Sequence, residues 1–112
     1  MKNLRNSVQL IGRLGKDPEV KNLPSGKTVA TFTIATSERY KSANGDKVED
    51  TQWHNVVAWG KTAQIVADYL KKGNEAAIEG KLVHRSYINN IGEKKYITEI
   101  NANEVLMLDK KK

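Results

Sequence analysis

One segment of this chain, Thr-Ala-Gln-Ile-Val-Ala-Asp-Tyr-Leu-Lys-Lys at residues 62–72, carries helical periodicity, and strand-like segments flank it on both sides. Ala63, Val66, Ala67 and Leu70 form its apolar stripe, with Ile65 and Tyr69 beside it. Gly73 reads as its C-terminal cap, after Lys71 and Lys72, whose charges suit the negative end of the helix dipole. A single helix excludes parallel α/β folds, which need a crossover helix for each pair of parallel strands. The expected class is all-β with one helix.

The strands follow from alternation and turn chemistry. Residues 7–14, Ser-Val-Gln-Leu-Ile-Gly-Arg-Leu, put Val8, Leu10 and Leu14 at one parity and Ile11 on the other. Gly15-Lys16-Asp17-Pro18 and Leu23-Pro24-Ser25-Gly26-Lys27 read as turns. Residues 28–36 are rich in β-branched side chains, with Phe32 and Ile34 sharing a parity. The polar stretch 38–50, with an Asn-Gly signal at Asn44-Gly45, reads as a long arm leading into a third strand at 51–59. After the helix come a strand at 75–87, in which Gly80 reads as a bulge, a hairpin tip at 89–93 and a last strand at 94–108. The order strand-strand-strand-helix-strand-strand is that of a five-stranded OB-fold Greek-key barrel with protruding hairpin arms. Residues 1–108 are expected to form that domain and residues 109–112 a short basic end, Asp109-Lys110-Lys111-Lys112.

The third strand carries the functional signal. In Thr51-Gln52-Trp53-His54-Asn55-Val56-Val57-Ala58-Trp59, both indoles share a parity with Asn55 and Val57, and Gln52, His54, Val56 and Ala58 take the other. Either face can supply the core. If the indoles fill it, the strand is ordinary; if the compact Val56 and Ala58 fill it, two large aromatics stand outside and call for a ligand. Unpaired nucleic acid is such a ligand, because its bases offer π-faces and its phosphates seek positive charge.

With 112 residues, one domain is expected, and a formal net charge of +6 fits a polyanion partner without demanding one. The absence of cysteine excludes disulfides, thiolate zinc sites and cysteine nucleophiles. His54 and His84 lie far apart with no companion at metal-ligand spacing, so no metal or cofactor is expected. No apolar run approaches the ~20 residues of a spanning helix, and residues 1–7 lead into no signal core. A cytoplasmic location is expected.

Several stretches together resemble the bacterial single-stranded DNA-binding proteins that coat unwound DNA in replication, repair and recombination. They are Asn6-Ser7-Val8-Gln9-Leu10-Ile11-Gly12-Arg13-Leu14-Gly15-Lys16-Asp17-Pro18-Glu19-Val20, Thr36-Ser37-Glu38, Trp53-His54-Asn55-Val56-Val57-Ala58-Trp59-Gly60-Lys61, Tyr69-Leu70-Lys71-Lys72-Gly73 and Ile78-Glu79-Gly80-Lys81-Leu82. The resemblance implies base stacking on Trp53 and Trp59, and on Tyr40 and Tyr87 where relatives often carry tryptophan. It implies phosphate contacts at Lys61, Lys71, Lys72, Lys81 and Arg85; Arg13, Arg39 and Lys41 are added by their proximity in sequence to the platform. Asn55 stands where relatives often carry a basic residue. The resemblance further implies a homotetramer associated with the bacterial nucleoid, with His54 at the subunit interface and the first strand, through Leu10 and Ile11, pairing across a dimer axis.

Replicative relatives continue into a flexible tail with an acidic tip that recruits enzymes, whereas this sequence stops at Leu108-Asp109-Lys110-Lys111-Lys112. It is either a truncated chain or a naturally short form, and recruitment of replication and repair proteins is not expected of it. Two rival functions compete with this one. An OB-fold nuclease would need clustered carboxylates, and Asp46, Glu49 and Asp50 read as a solvated loop, so no enzymatic activity is expected. A protein adaptor resembling the primosomal replication protein would keep the fold without using the paired indoles.

Overall fold

The computed structural model describes residues 4–109. The Lys110-Lys111-Lys112 run lies outside the described residues. A 3₁₀ turn, Leu4–Asn6, precedes β1 (Val8–Leu14), β2 (Glu19–Asn22), β3 (Thr28–Lys41), β4 (Lys47–Trp59), α1 (Gly60–Tyr69), β5 (Glu75–Ile88) and β6 (Lys94–Met107). The six strands run in the order β1-β5-β6-β4-β3-β2, and β1 also pairs with β3. That extra pairing joins the ends of the five long strands into a closed barrel. The short β2 pairs only with β3, from Glu19↔Thr31 to Asn22↔Thr28, and lies outside the ring. Sequence alternation missed β2 because all four of its residues are exposed.

Closure rests on two residue pairs, Arg13↔Ala35 and Leu14↔Ile34. A β-carbon on Gly12 would collide with the backbone carbonyl of Ala35, so only glycine lets the two strands come this close. Gly80 is a second such point. The β5–β6 register shifts between Glu79 and Gly80, and a β-carbon on Gly80 would strike the backbone of Asn101 and Ala102. This bulge turns the corner of the barrel, as the sequence led us to expect.

The interior is filled by Leu14 from β1, Ala30, Phe32 and Ile34 from β3, Val56 and Ala58 from β4, Ala76 and Ile78 from β5, and Ile100 and Ala102 from β6. Ala63 and Val66 of α1, with Leu70 just after it, cover one end. The helix packs on β3, β4 and β6, and β4 and β6 form the barrel's one parallel pair, Asn55↔Glu99 to Ala58↔Ala102. These small and β-branched residues suit a narrow barrel, where alternating strand faces divide cleanly between inside and outside.

The helix differs from the expected span. It begins at Gly60 and ends at Tyr69, and its C-cap Leu70 is extended. Ala67 is exposed, off the packed face. Gly73 is not the cap, because it lies in a following turn at φ +87° and donates its N–H to the Leu14 carbonyl at 2.9 Å. Lys71 and Lys72 therefore sit past the helix end; the Lys72 N–H donates to Asp17 Oδ1 at 2.8 Å and ties this turn to the β1–β2 connection.

The stretch 38–50 is also more ordered than a polar arm. β3 and β4 stay paired to Lys41↔Lys47, and the tip closes through Ser42 N–H to the Asp46 carbonyl and Gly45 N–H to the Ser42 carbonyl. The β5–β6 hairpin extends likewise to Ile88↔Lys94. These two arms give a radius of gyration of 16.1 Å, against roughly 13 Å for a compact domain of this length. The far end of β6 is fastened too: Asp109 accepts hydrogen bonds from the Glu75 backbone N–H and Asn74 Nδ2, each at 2.9 Å. The backbone bond, then the Asn74 bond, hold its carboxyl below the ordinary carboxylate range.

Gly12→Ala should lower stability by about 1–3 kcal/mol, since a backbone carbonyl must move to admit one methyl group. Urea denaturation followed by circular dichroism measures it, and an unchanged midpoint would contradict closure through this contact.

Candidate nucleic-acid interface

Because Val56 and Ala58 point inward, the opposite parity of β4 points out. Trp53 is 61% exposed and Trp59 44% exposed, so neither indole belongs to the core. Ladder registers extend this outer face across the neighbouring strands. Ala35 and Val29 of β3 oppose Trp53 and Trp59, Glu99 and Asn101 of β6 run beside Asn55 and Val57, and Lys81 and Val83 of β5 oppose Asn101 and Glu99. Arg85 and Tyr87 continue the parity of Lys81 and Val83 along β5. Trp53, Trp59, Lys81, Arg85 and Tyr87 therefore share one continuous sheet face.

Its centre is a groove of about 450 Å³ lined by Val29 and Thr31 of β3, Val57 and Trp59 of β4, Val83 and Arg85 of β5, and Glu99 and Asn101 of β6. Apolar walls, an aromatic surface and a few polar groups form a site that can take a flat ring and hydrogen-bond its edge. Trp53 lies nearer the closure. A β-carbon on Gly15 would fall 2.5 Å from Cζ3 of its indole, so the ring lies directly over the Gly15 backbone. In sequence Gly15 marks only a turn; in the fold it is the bare spot that lets the indole lie down.

The predicted cations fall into distinct environments. Lys61 is exposed in the first turn of α1, directly after Trp59, and Lys71, Lys72 and Lys81 are exposed as well. Among the described residues none of these four forms an ion pair. Arg13 donates from Nη1 to the Gly73 carbonyl at 3.0 Å and lies 3.8 Å from Asp109. Arg39 lies 3.8 Å from Glu49 on the β3–β4 arm.

Arg85 is held most firmly: Nε donates to Glu99 Oε1 at 2.5 Å and Nη2 to Oε2 at 3.2 Å. The hydrogen bond and then the charge of Glu99 push the Arg85 pKa upward. Glu99 is the one buried charged residue among those described, and no sequence motif singled it out. Alternation places it opposite the core residue Ile100, but its partner is offset along β5, where Val83 is the residue directly across.

The remaining candidates lie elsewhere. Tyr40 is exposed on the β3–β4 arm, where it opposes Val48 and continues the parity of Phe32 and Ile34 rather than that of Trp53. Lys41 opposes Lys47 at the arm's last pair. His54 is half-buried, with Nε2 2.9 Å from Thr36 Oγ1 at the base of this arm. It is not brought together with Leu10 and Ile11. Leu10 packs partly against the core, whereas Ile11 stands on the outer face of β1.

Gly15→Val should displace the Trp53 ring while leaving the barrel melting temperature within a few degrees, because the obstacle is a side chain and not backbone. The expected sign is a shifted tryptophan emission maximum relative to Gly15→Ser, whose smaller side chain displaces the ring less.

Comparison with known proteins agrees with this geometry. The family model described as the single-strand binding protein family matches residues 5–108. The chain is 50% identical over 107 residues to Single-stranded DNA-binding protein 1 of Chlorobaculum tepidum, covering 95% of this chain and 66% of that one. It is 46% identical over 103 residues to the Single-stranded DNA-binding protein of Neisseria meningitidis, covering 92% of this chain and 59% of that one. The chain thus spans about three-fifths to two-thirds of these relatives' length. Among solved structures, a Plasmodium falciparum SSB in complex with ssDNA superposes with a TM-score of 0.85 at 34% identity, covering 97% of this chain and 98% of that one. A deletion mutant of the single-stranded DNA binding protein from Thermus aquaticus gives 0.80 at 29% identity, covering 93% and 50%. An OB barrel with its indoles turned outward, a matching family model over nearly its whole length and relatives at half identity lead to one conclusion: the chain belongs to the single-strand binding protein family.

Proposed function

We propose that this chain binds and coats single-stranded DNA without strong sequence preference, in replication, recombination and repair. The observation that carries the reading is the outward pair Trp53 and Trp59 on a strand whose other face, Val56 and Ala58, fills the core. Bases stack on these rings and on Tyr87, and the strand continues toward Tyr40 on the arm. Lys61, Lys71, Lys72 and Lys81 follow the phosphates. Sequence tolerance follows from stacking, since every base has a π-face. Duplex DNA is a poor ligand because its bases are already stacked on one another. The reading involves no covalent chemistry, cofactor or metal.

Titration with oligothymidine should quench the tryptophan emission, and log K should fall with log salt by about 0.7 for each phosphate neutralised. Trp53→Ala should weaken binding by ~1–3 kcal/mol with its thermal transition intact. A protein that binds oligothymidine without quenching would contradict the stacking platform.

The working form in this reading is a homo-oligomer, a tetramer, acting in the cytoplasm on nucleoid DNA. Two features support assembly. From Val8 to Gly12, β1 pairs with β5 along one edge, while its pairing with β3 is confined to Arg13 and Leu14, which leaves the other edge open to a second copy. Beside it lies a depression of about 740 Å³ lined in part by Ile11, Ile65 and Leu106, all well exposed. A surface this apolar calls for a cover. Ile11→Glu should lower the sedimenting mass without unfolding the subunit, and an unchanged mass would remove β1 from the interface.

A further inference from the structure

Arg85 was expected to grip phosphate, yet its guanidinium is already committed. Two of its nitrogens lie on the two oxygens of Glu99, and the Glu99 side chain is only 10% exposed while that of Arg85 is 53% exposed. Within the residues lining the central groove, these two are the only charged groups, so the floor beside Trp59 carries no net charge. A fork-to-fork pair of this kind is among the stronger hydrogen-bonded ion pairs and competes directly with a phosphate oxygen for the same N–H groups.

We propose that Glu99 withholds Arg85 from the phosphate backbone and thereby sets the affinity of the groove and its dependence on salt. This deepens the single-strand reading above and rests on it. The bound strand is gripped electrostatically by Lys61 and Lys81, and at the centre by stacking and by hydrogen bonds from Arg85 Nη1, the nitrogen that Glu99 does not engage. A neutral centre suits a protein that must hold any sequence yet give it up. Stacked bases slide or lift off one at a time, whereas a guanidinium bonded to a phosphate would pin the strand at one point. Glu99 acts through Arg85, so it is a positioning residue for the groove.

The test compares the wild-type protein with Glu99→Gln, Arg85→Gln and the double variant, by oligothymidine titration with tryptophan quenching at salt steps between about 50 and 200 mM. Glutamine keeps the shape of Glu99 and one hydrogen bond to Arg85 while removing the charge. Glu99→Gln is expected to bind several-fold tighter at the lowest salt, with a salt slope steeper by about 0.7, equivalent to about a 2.6-fold greater loss of affinity across that range. Arg85→Gln is expected to bind more weakly at an unchanged slope, because the unpaired carboxylate then faces the strand. The double variant is expected to return to the wild-type slope and close to its affinity.

A Glu99→Gln protein with the wild-type slope would show that Glu99 does not hold Arg85 back from phosphate, and a double variant whose slope is shallower by about 0.7 would show that Arg85 already contacts it; either result would overturn the proposal. If Glu99→Gln does not melt cooperatively, the double variant, which buries no charge, decides by the same slope. A wild-type protein that shows no quenching refutes the single-strand reading itself, and this one with it. Wild-type quenching with an unmoved Glu99→Gln slope refutes only this one.

Discussion

The register of β4 is the constraint on which the rest depends. That strand is held from both sides, antiparallel to β3 from Val29↔Trp59 to Lys41↔Lys47 and parallel to β6 over Asn55↔Glu99 to Ala58↔Ala102. A slip of one residue would exchange its faces, driving two indoles into a space built for Val56 and Ala58 and exposing those two instead. The narrow barrel cannot hold the indoles, so the same packing that stabilises the fold puts the aromatic surface outside. Stability and function here are two faces of one strand.

How much of this could be read from the chain depended on whether a residue's partner is close by or across the fold. The barrel strands showed themselves through alternation, and Gly80 through its place in a strand pattern, because each reports a local rule. The β3–β4 arm did not read as a pair of strands, unlike the β5–β6 arm: beyond Thr36 and before Gln52 both parities are largely polar, and a ladder with no core behind it leaves no alternation to detect. The helix end was misplaced for a different reason. Gly73 and Lys72 look like a helix terminus in sequence, but their backbone groups bond to Leu14 and Asp17 of a distant segment, and that tertiary fastening stops the helix early.

The site was legible to a similar degree. The indoles could be located with their alternatives, and the compactness of Val56 and Ala58 was the clue that separated them. Gly15 and Glu99 could not be located. The first acts by lacking a side chain beneath Trp53, and the second through an offset cross-strand partner, so neither leaves a mark in the residues beside it. A positively charged composition likewise says little about which cations are available. Arg13, Arg39 and Arg85 each lie against a carboxylate, and the lysines around the platform do not.

The two hairpin arms differ energetically from the barrel they spring from. Their residues beyond the ring bury almost nothing, so what holds them is a backbone ladder and a tight turn at each tip. Such a ribbon, without a hydrophobic face to press on, sits near the low end of local stability. The arms can therefore fray, bend and re-form their rungs while the closed ring stays intact, so that the molecule joins a stiff hub to two compliant fingers made from the same strands.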